Sequence, residues 1–213
     1  MFLQRFALGA LWTNGYLVLD DEGRGFFVDP GGDPREVILE MERKGVGLEY
    51  VLLTHGHADH IGGLSEIRHK AARGVLVHED DALMLSHPEA NLSIFVGEKL
   101  DLQPPEGQFR DGDIITAGNL SVKVIHTPGH TRGSSCFLVE EAGFDPVLLS
   151  GDTLFAGSVG RTDLPGGDEA ILLASLEKLS ALPDTIRVLP GHGPETTIGE
   201  EKRRNPFWPG RSR

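Results

Sequence analysis

The sequence predicts a mixed α/β domain in which helices pack on β-sheets in layers. Two observations support this class. Apolar runs with the length of strands alternate with segments of helical periodicity, and several neighbouring runs are joined by short turns, as in hairpins. The 213 residues are enough for a large buried core. No linker or low-complexity segment divides them, so we expect one domain over residues 1–213.

The N-terminal part of the chain shows both patterns. We expect a first strand within Met1–Trp12, and then two strands joined by an acidic turn, Tyr16–Leu19 and Gly25–Val28. A helix is predicted to follow, since Asp33–Pro34 suit its N-cap and first helical position. It should end at Gly45, because glycine is common just after a helix.

Strands and helices continue to alternate further along the chain. Tyr50–Thr54 is a continuous apolar run, which is typical of a strand covered on both faces. Helices are predicted over Ile61–Arg73 and from the N-cap Asp168 to Leu182. The other strands are short apolar runs, predicted at Val75–Val77, Ser121–His126, Ser135–Val139, Val147–Ser150 and Ile186–Leu189.

The composition argues against several classes of partner. The chain has 20 Lys and Arg against 32 Asp and Glu, a formal net charge of −12. Binding of nucleic acid or of an anionic membrane needs a basic face, so we expect neither partner. No segment approaches the ~20 apolar residues that cross a bilayer. The single cysteine and the lack of a clear signal peptide predict a cytoplasmic location.

The segment from Thr54 to His60 places three histidines and an aspartate directly after a predicted buried strand. The end of a strand that leads into a helix is where α/β folds place their ligand sites. Because residues two apart in an extended chain point the same way, His55 and His57 can converge on one ion. Asp59 and His60 lie beyond the turn, which suits a second ion. Burial of such a cluster without metal would be costly, so the segment indicates a metal centre rather than a solvated loop.

Three more predicted strand ends have a ligand-type residue beside a glycine, namely His130, Asp152 and His192. Each alone would be an ordinary turn residue, but four coincident strand ends predict one site. Imidazole and carboxylate donors suit Zn²⁺, Fe²⁺ or Mn²⁺. We therefore expect two divalent ions. The predicted ligands are His55, His57 and His130 for one ion, Asp59, His60 and His192 for the other, and Asp152 as a bridge between them.

This ligand count leaves an open position on each ion for water, as in catalytic metal sites. A bridging water acidified to a pKa of about 7 supplies hydroxide at neutral pH, and the second ion can stabilise a developing oxyanion. Asp59 and Asp152 are the candidate catalytic carboxylates beside that hydroxide. The pattern predicts a hydrolase without a serine or cysteine nucleophile.

Several residues with reactive side chains are expected to be structural. Cys136 lies within a predicted strand and should be an inert core thiol. His69, His78 and His87 are expected on the surface or in helices, and His126 in a structural role.

The candidate ligand segments resemble the metallo-β-lactamase superfamily. They are Thr-His-Gly-His-Ala-Asp-His at 54–60, Thr-Pro-Gly-His-Thr at 127–131, Ser-Gly-Asp-Thr-Leu-Phe at 150–155 and Pro-Gly-His-Gly at 190–193. The resemblance implies a four-layer αββα sandwich of two pseudo-equivalent halves, roughly 1–125 and 126–213. It also implies that the metals lie in a groove at one edge, with the ligand roles given above.

Further segments are similar to short proteins of the glyoxalase II branch. The two segments are Phe155–Asp163 and the C-terminal stretch His192–Phe207. Asp59 points to the same branch, because classical zinc β-lactamases differ at this position. This similarity implies hydrolysis of a small-molecule thioester such as hydroxyacyl-glutathione by metal-bridging hydroxide. The leaving thiolate, with a pKa near 8.5, needs little acid catalysis.

The same resemblance suggests roles for two further residues. Asp29 resembles an acid that orients a ligand histidine in the superfamily, although a simple turn carboxylate is an equal alternative. Arg161 is a candidate for holding an anionic group of the substrate, or else forms a structural ion pair. Only 21 residues follow His192, so we expect no C-terminal helical domain of the kind that helps to hold glutathione.

Other functions and the oligomeric state stay open at this point. Persulfide dioxygenases look similar over the same segments and use one Fe²⁺ held by two histidines and an aspartate. A lactonase or phosphodiesterase could use the same scaffold, and a non-enzymatic metal-binding protein is a further alternative. Phe207 and Trp208, flanked by prolines, are expected to pin the tail to the body of the protein or to a second subunit of a homo-oligomer.

Overall fold

Two six-stranded β-sheets pack face to face, and helices cover both outer faces. The computed structural model describes residues 1–97 and 99–210. The αββα sandwich expected from the sequence is confirmed.

The strands of the first sheet lie side by side in chain order. They are β1 (Phe2–Leu8), β2 (Thr13–Leu19), β3 (Arg24–Val28), β4 (Gly47–Leu52), β5 (Val75–His78) and β6 (Gly107–Phe109). Strands β1 to β3 are antiparallel, and β3 to β6 are parallel. The parallel strands β3 and β4 therefore end at the same side of the sheet, where the loops with Asp29 and His55 begin.

The second sheet has the spatial order β14-β13-β10-β9-β8-β7. Its strands are β7 (Ile114–Ala117), β8 (Leu120–His126), β9 (Ser135–Glu140), β10 (Val147–Gly151), β13 (Arg187–Pro190) and β14 (Thr196–Thr197). A small hairpin, β11 (Leu154–Phe155) and β12 (Ser158–Val159), lies between β10 and β13 in the chain. The chain changes sheet between residues 109 and 114, earlier than the division near residue 125 that the resemblance implies.

Helices occupy the connections between the strands. The α-helices are α1 (Arg35–Lys44), α2 (Ala58–Ile61), α3 (Leu64–Ile67), α4 (Glu169–Ser180) and α5 (Ile198–Arg204), and 3₁₀-helices cover Arg68–Lys70, Glu79–Ser86 and Ser93–Val96. Among the described residues, no helix combines the length and apolarity needed to span a membrane.

Three apolar layers hold the sandwich together. Strand β3 shows how alternation builds them, because Phe27 faces the layer beneath α1 whereas Phe26 and Val28 face the layer between the sheets. The third layer lies between the second sheet and α4, with Leu176 at its centre. Trp208 packs into this same layer, so the C-terminal tail is pinned to the body of the protein, one of the two arrangements expected from the sequence.

The helix predicted over residues 61–73 is wrong in its extent. The structure has α2 and α3 separated at Gly62 and Gly63, followed by a 3₁₀ turn. The backbone N–H of Gly63 donates to the Pro30 carbonyl at 2.7 Å, and a Cβ at Gly63 would lie 1.9 Å from the Gly32 carbonyl oxygen. This close packing stops a continuous helix and holds α2 against the loop after β3.

The start of α1 also differs from the prediction. The N-cap position belongs to Pro34 rather than to Asp33, and Arg35 is the first helical residue. The Asp33 carboxylate still accepts a hydrogen bond from the Arg35 backbone at 3.0 Å. The predicted end is confirmed, since Gly45 follows the helix with a left-handed φ of 66°.

Asp168 is the N-cap of α4, as the sequence predicts, and its carboxylate accepts a hydrogen bond from the Ile171 N–H at 3.0 Å. Replacement Asp168→Ala should lower the free energy of unfolding by about 1 kcal/mol, because a backbone donor of the first turn loses its partner. Urea denaturation measures this loss. Asp168→Asn keeps a capping oxygen and should lose much less; equal losses for the two variants would contradict the capping role.

Candidate metal centre

Seven side chains that the sequence proposes as metal ligands come together where strands of both sheets end. Three different strands of the second sheet contribute, and one of the first sheet contributes the remainder. His55, His57, Asp59 and His60 follow β4, His130 follows β8, Asp152 follows β10, and His192 follows β13.

The donor atoms of these residues form three overlapping groups, each within 4.8 Å. The groups are His55 with His57 and His130, Asp59 with His60 and His192, and His55 with His60 and Asp152. The first two are the two ligand sets predicted from the sequence. Asp152 lies between them, since its Oδ2 is 3.6 Å from Nε2 of His130 and 3.6 Å from Nε2 of His192.

The chemistry of the cluster fits a bound divalent cation. The Nε2 atoms of His55 and His57 are buried and have no hydrogen-bond partner, and Nε2 of His60 lies 3.3 Å from Oδ1 of Asp152. Nδ1 of His57 and Nε2 of His130 are 2.9 Å apart, a distance that needs a shared proton or a cation nearby. Unpaired buried polar atoms are costly, and a metal ion would satisfy them together. Histidine and carboxylate donors suit zinc, iron or manganese.

Asp29 holds the His60 ring directly and the His55 ring through Thr54. Its Oδ2 accepts hydrogen bonds from His60 Nδ1 at 2.9 Å and from the Thr54 hydroxyl at 2.6 Å, and its Oδ1 accepts from the Thr54 backbone at 2.8 Å. The Thr54 hydroxyl in turn lies 3.1 Å from His55 Nδ1. These bonds place the protons on Nδ1, so Nε2 of each ring presents its lone pair to the cluster. The structure thus brings Asp29 to the kind of partner that the sequence suggested.

Arg161 lines a cavity beside the cluster, and its backbone carbonyl contacts a candidate ligand. Its carbonyl oxygen accepts a hydrogen bond from His130 Nδ1 at 2.8 Å, which leaves Nε2 of that ring for the cluster. The exposed guanidinium forms two 2.8 Å hydrogen bonds with Asp163. The candidate substrate-binding cation therefore lies at the site but is paired with a neighbouring carboxylate.

Two rings of the first ligand set, His55 and His57, are held in the uncharged form that metal binding requires. Burial lowers the pKa of His55 well below its ordinary value, and the neighbouring His60 and His57 lower it further. Burial and His130 lower the pKa of His57 to about 3. Both rings are neutral at pH 7, so their lone pairs can bind a cation.

The second set favours positive charge at its centre. Burial would raise the pKa of Asp59 and of Asp152, but the neighbouring histidines, His60 first, outweigh it and lower both pKa values. Burial would lower the pKa of His60, but Asp152 and Asp59 outweigh it and raise that pKa well above its usual value. The ionised carboxylates thus call for a positive charge here, which a divalent ion supplies.

Two residues that the sequence analysis missed hold the loop with His192. The Asn14 side-chain amide donates to the carbonyls of Pro190 and Gly193, both at 2.9 Å, and the Tyr16 hydroxyl donates to the Pro190 carbonyl at 2.8 Å. Asn14 precedes the strand predicted at Tyr16–Leu19, so no local signal in the sequence marked it, whereas the structure begins β2 at Thr13 and buries Asn14 within it. The loop packs closely, because a Cβ at Gly191 would lie 2.4 Å from Asp152 Oδ1.

A fourth group of possible ligands lies apart from this centre and consists of His78, Asp80 and His126. His78 is buried at the end of β5, so its expected place on the surface or in a helix is wrong. The rings of His78 and His126 are stacked, with centroids 3.9 Å apart and planes 12° apart. Their in-plane lone pairs therefore run nearly parallel and do not converge on one ion.

A cavity of about 680 Å³ opens beside the seven residues. Its lining has a polar part that includes His57, Asp59 and Asp152, which we call the floor, and an apolar part, which we call the wall. That wall contains Leu11, Leu92, Phe95 and Leu164. The volume is typical of small-molecule sites, and the apolar wall beside a polar floor suits a ligand with both kinds of surface.

Comparison with known proteins agrees with this geometry. A family model described as the metallo-beta-lactamase superfamily matches residues 9–192. The chain belongs to the metallo-beta-lactamase superfamily. Membership of this superfamily supports a metal-dependent hydrolase.

Three relatives cover nearly the whole chain. Hydroxyacylglutathione hydrolase GloC of Haemophilus influenzae is 35% identical over 97% of this chain and 98% of its own length. The BLEG-1 B3 metallo-beta-lactamase structure is 36% identical with a TM-score of 0.91, covering 98% of this chain and 100% of that chain. The structure of TTHA1623 in a di-iron-bound form is 36% identical with a TM-score of 0.83, and the match covers 96% of this chain and 99% of that chain. The last of these supports a divalent metal.

Replacement Asp29→Asn should weaken metal binding about 10- to 100-fold, because an amide has one accepting oxygen where Asp29 uses two, and it lacks the negative charge that stabilises the proton on His60 Nδ1. Competition with a chelator that reports free zinc measures the affinity. Glu201→Gln is a matched control, since this buried carboxylate also accepts from a threonine hydroxyl, a backbone N–H and a side-chain nitrogen. Unchanged affinity in Asp29→Asn, or an equal loss in the control, would contradict the role of Asp29.

Proposed function

We propose that this protein hydrolyses thioesters at a centre of two divalent ions, zinc or iron in the first place and manganese as an alternative. The main support is the pair of three-donor sets that meet at Asp152 beside an open cavity. We assign His55, His57 and His130 to one ion and Asp59, His60 and His192 to the other, with Asp152 between them.

A bound divalent ion supplies an acidified water and a positive charge that polarises a carbonyl group. The chain holds its own groups ready for this chemistry. Asp59 and Asp152 both line the cavity, and their lowered pKa values keep them ionised at pH 7. Asp59 Oδ2 lies 3.1 Å from Nε2 of His192, which fixes the carboxylate at the cavity floor.

A protein nucleophile is not needed and none is suitably placed among the described cavity residues. None of the residues that line the cavity in the described part of the chain is Ser, Thr, Cys, Tyr or Lys. The thiol of Cys136 is buried in the core, and burial raises its pKa to about 11. Water is therefore the best nucleophile for this site.

A thioester fits the acid–base groups of the cavity better than an amide does. A thiolate with a pKa near 8.5 leaves without strong help from a general acid, whereas an amine needs a proton. The similarity to GloC supports the same substrate class, and hydroxyacyl-glutathione is the first compound to test. Arg161 is the proposed contact for an anionic group of such a substrate. A cytoplasmic location and self-association stay predictions.

A substrate panel on protein of known metal content tests the proposed function. S-D-lactoylglutathione should be hydrolysed, with release of free thiol, faster than a lactone, a phosphodiester or a β-lactam. Oxygen uptake with glutathione persulfide is measured in parallel. Oxygen consumption without thioester cleavage would assign the protein to the dioxygenases instead, and preferred cleavage of another panel member would overturn the thioester proposal.

Replacement Asp59→Ala should remove one of two bound ions and lower kcat/KM for the thioester by more than about 100-fold, since a donor of the second set is lost. Elemental analysis and a thiol-release assay measure the two effects. Asp33→Ala is the control, because Asp33 also lines the cavity but pairs with Arg35 instead of the ligand residues. Full metal content and turnover in Asp59→Ala would refute the two-ion assignment.

A further inference from the structure

Asp81 is a fully buried carboxylate outside the proposed ligand set. It lies in the 3₁₀-helix Glu79–Ser86, which follows β5. Its Oδ2 accepts hydrogen bonds from the Thr131 hydroxyl at 2.7 Å and from the Gly56 N–H at 3.1 Å, and its Oδ1 accepts from the Gly133 N–H at 2.7 Å.

The three donors belong to the two loops that supply the first ligand set. Gly56 lies between His55 and His57, and Thr131 directly follows His130. These loops come from different sheets, one after β4 and the other after β8. The side chain of Asp81 therefore connects the two loops of the first ligand set. These loops are far apart in sequence, since His57 and His130 are separated by 73 residues.

Both loops also pack tightly on the helix that contains Asp81. A Cβ at Gly133 would lie 2.6 Å from the carboxylate carbon of Asp81 and 2.8 Å from its backbone nitrogen. A Cβ at Gly56 would lie 2.6 Å from Cβ of Met84 in the same helix. The loops thus have little freedom to move away from this helix while the hydrogen bonds persist.

We propose that Asp81 is a positioning residue that sets the spacing of His55 and His57 from His130, and so the affinity and geometry of the first ion site. The inference rests on the metal binding that the proposed function requires. All three hydrogen bonds are accepted by the oxygens of one side chain, so Asp81 ties the two loops together. Both oxygens of Asp81 are taken up by donors of the two loops, so Asp81 acts through the loops.

Asp20 provides a matched comparison at the other end of the sheets. It is also buried and accepts three backbone hydrogen bonds, from Glu22 at 2.9 Å and from Arg24 and Asn119 at 2.8 Å. It likewise joins the two sheets, since Glu22 lies in the turn before β3, Arg24 is the first residue of β3, and Asn119 lies in the turn between β7 and β8. Asp20→Asn therefore also replaces a buried carboxylate that joins the two sheets, in this case far from the metal ligands and with an additional 3.4 Å ion pair to Arg24.

The test compares Asp81→Asn and Asp20→Asn by cobalt binding. Co²⁺ is added to metal-free protein, its visible absorption is recorded, and its affinity is measured against a chelator. Asp81→Asn should weaken one of two Co²⁺ sites about 10-fold or more and change the absorption spectrum. Asp20→Asn should keep the spectrum and affinity of the parent, while urea denaturation reports the loss of stability in both variants.

Two results would overturn the proposal. They are parental Co²⁺ affinity and spectrum in Asp81→Asn, and an equal change in Asp20→Asn. If Asp81→Asn does not fold, Thr131→Val removes one of the three donors at nearly constant shape and should shift the same spectrum to a smaller degree. An unchanged spectrum in that variant would also overturn the proposal.

The readout separates this inference from the proposed function. Failure of the parent protein to cleave any thioester, with cobalt binding that depends on Asp81, would remove the proposed reaction and leave the positioning role. Thioester cleavage with cobalt binding that is insensitive to Asp81 would support the proposed reaction and remove the positioning role.

Discussion

The arrangement of this protein depends on one electrostatic constraint, the burial of several imidazoles together with ionised carboxylates. Buried lone pairs without partners are unfavourable, and so are carboxylates kept from water. In this cluster, His55 and His57 each have a buried Nε2 without a hydrogen-bond partner, and the ionised Asp152 lies among the histidines. A divalent cation removes both difficulties at once, which explains why so many polar atoms meet in an otherwise apolar sandwich.

The rest of the molecule serves to hold these groups in place. Each candidate ligand ring with a fixed orientation is bound on its far side, His60 by Asp29, His55 by Thr54 and His130 by the Arg161 carbonyl. The supporting groups come from neighbouring strand ends of both sheets. The two sheets are also joined directly at this end, since the Ser135 N–H donates to the Thr54 carbonyl at 2.9 Å.

The layered fold and the candidate ligands could be predicted because their signals are local. Most strands are visible in the sequence as apolar runs. The candidate ligands follow such runs, and each lies near a glycine or another histidine. The supporting residues could not be found in this way, because Asn14 and Asp81 act on loops that are 176 and 52 residues away, respectively. The helix over 61–73 failed for a similar reason, since the Gly63 contact with the loop after β3 is tertiary.

The placement of the centre across both sheets has a thermodynamic consequence. Its donors come from segments as far apart in the chain as His55 and His192, so the site exists only when both sheets are assembled. Whatever binds there therefore favours the assembled state over the unfolded chain by mass action. Metal supply and thermal resistance should consequently be coupled in this protein, with heat tolerance rising as the concentration of available ion rises.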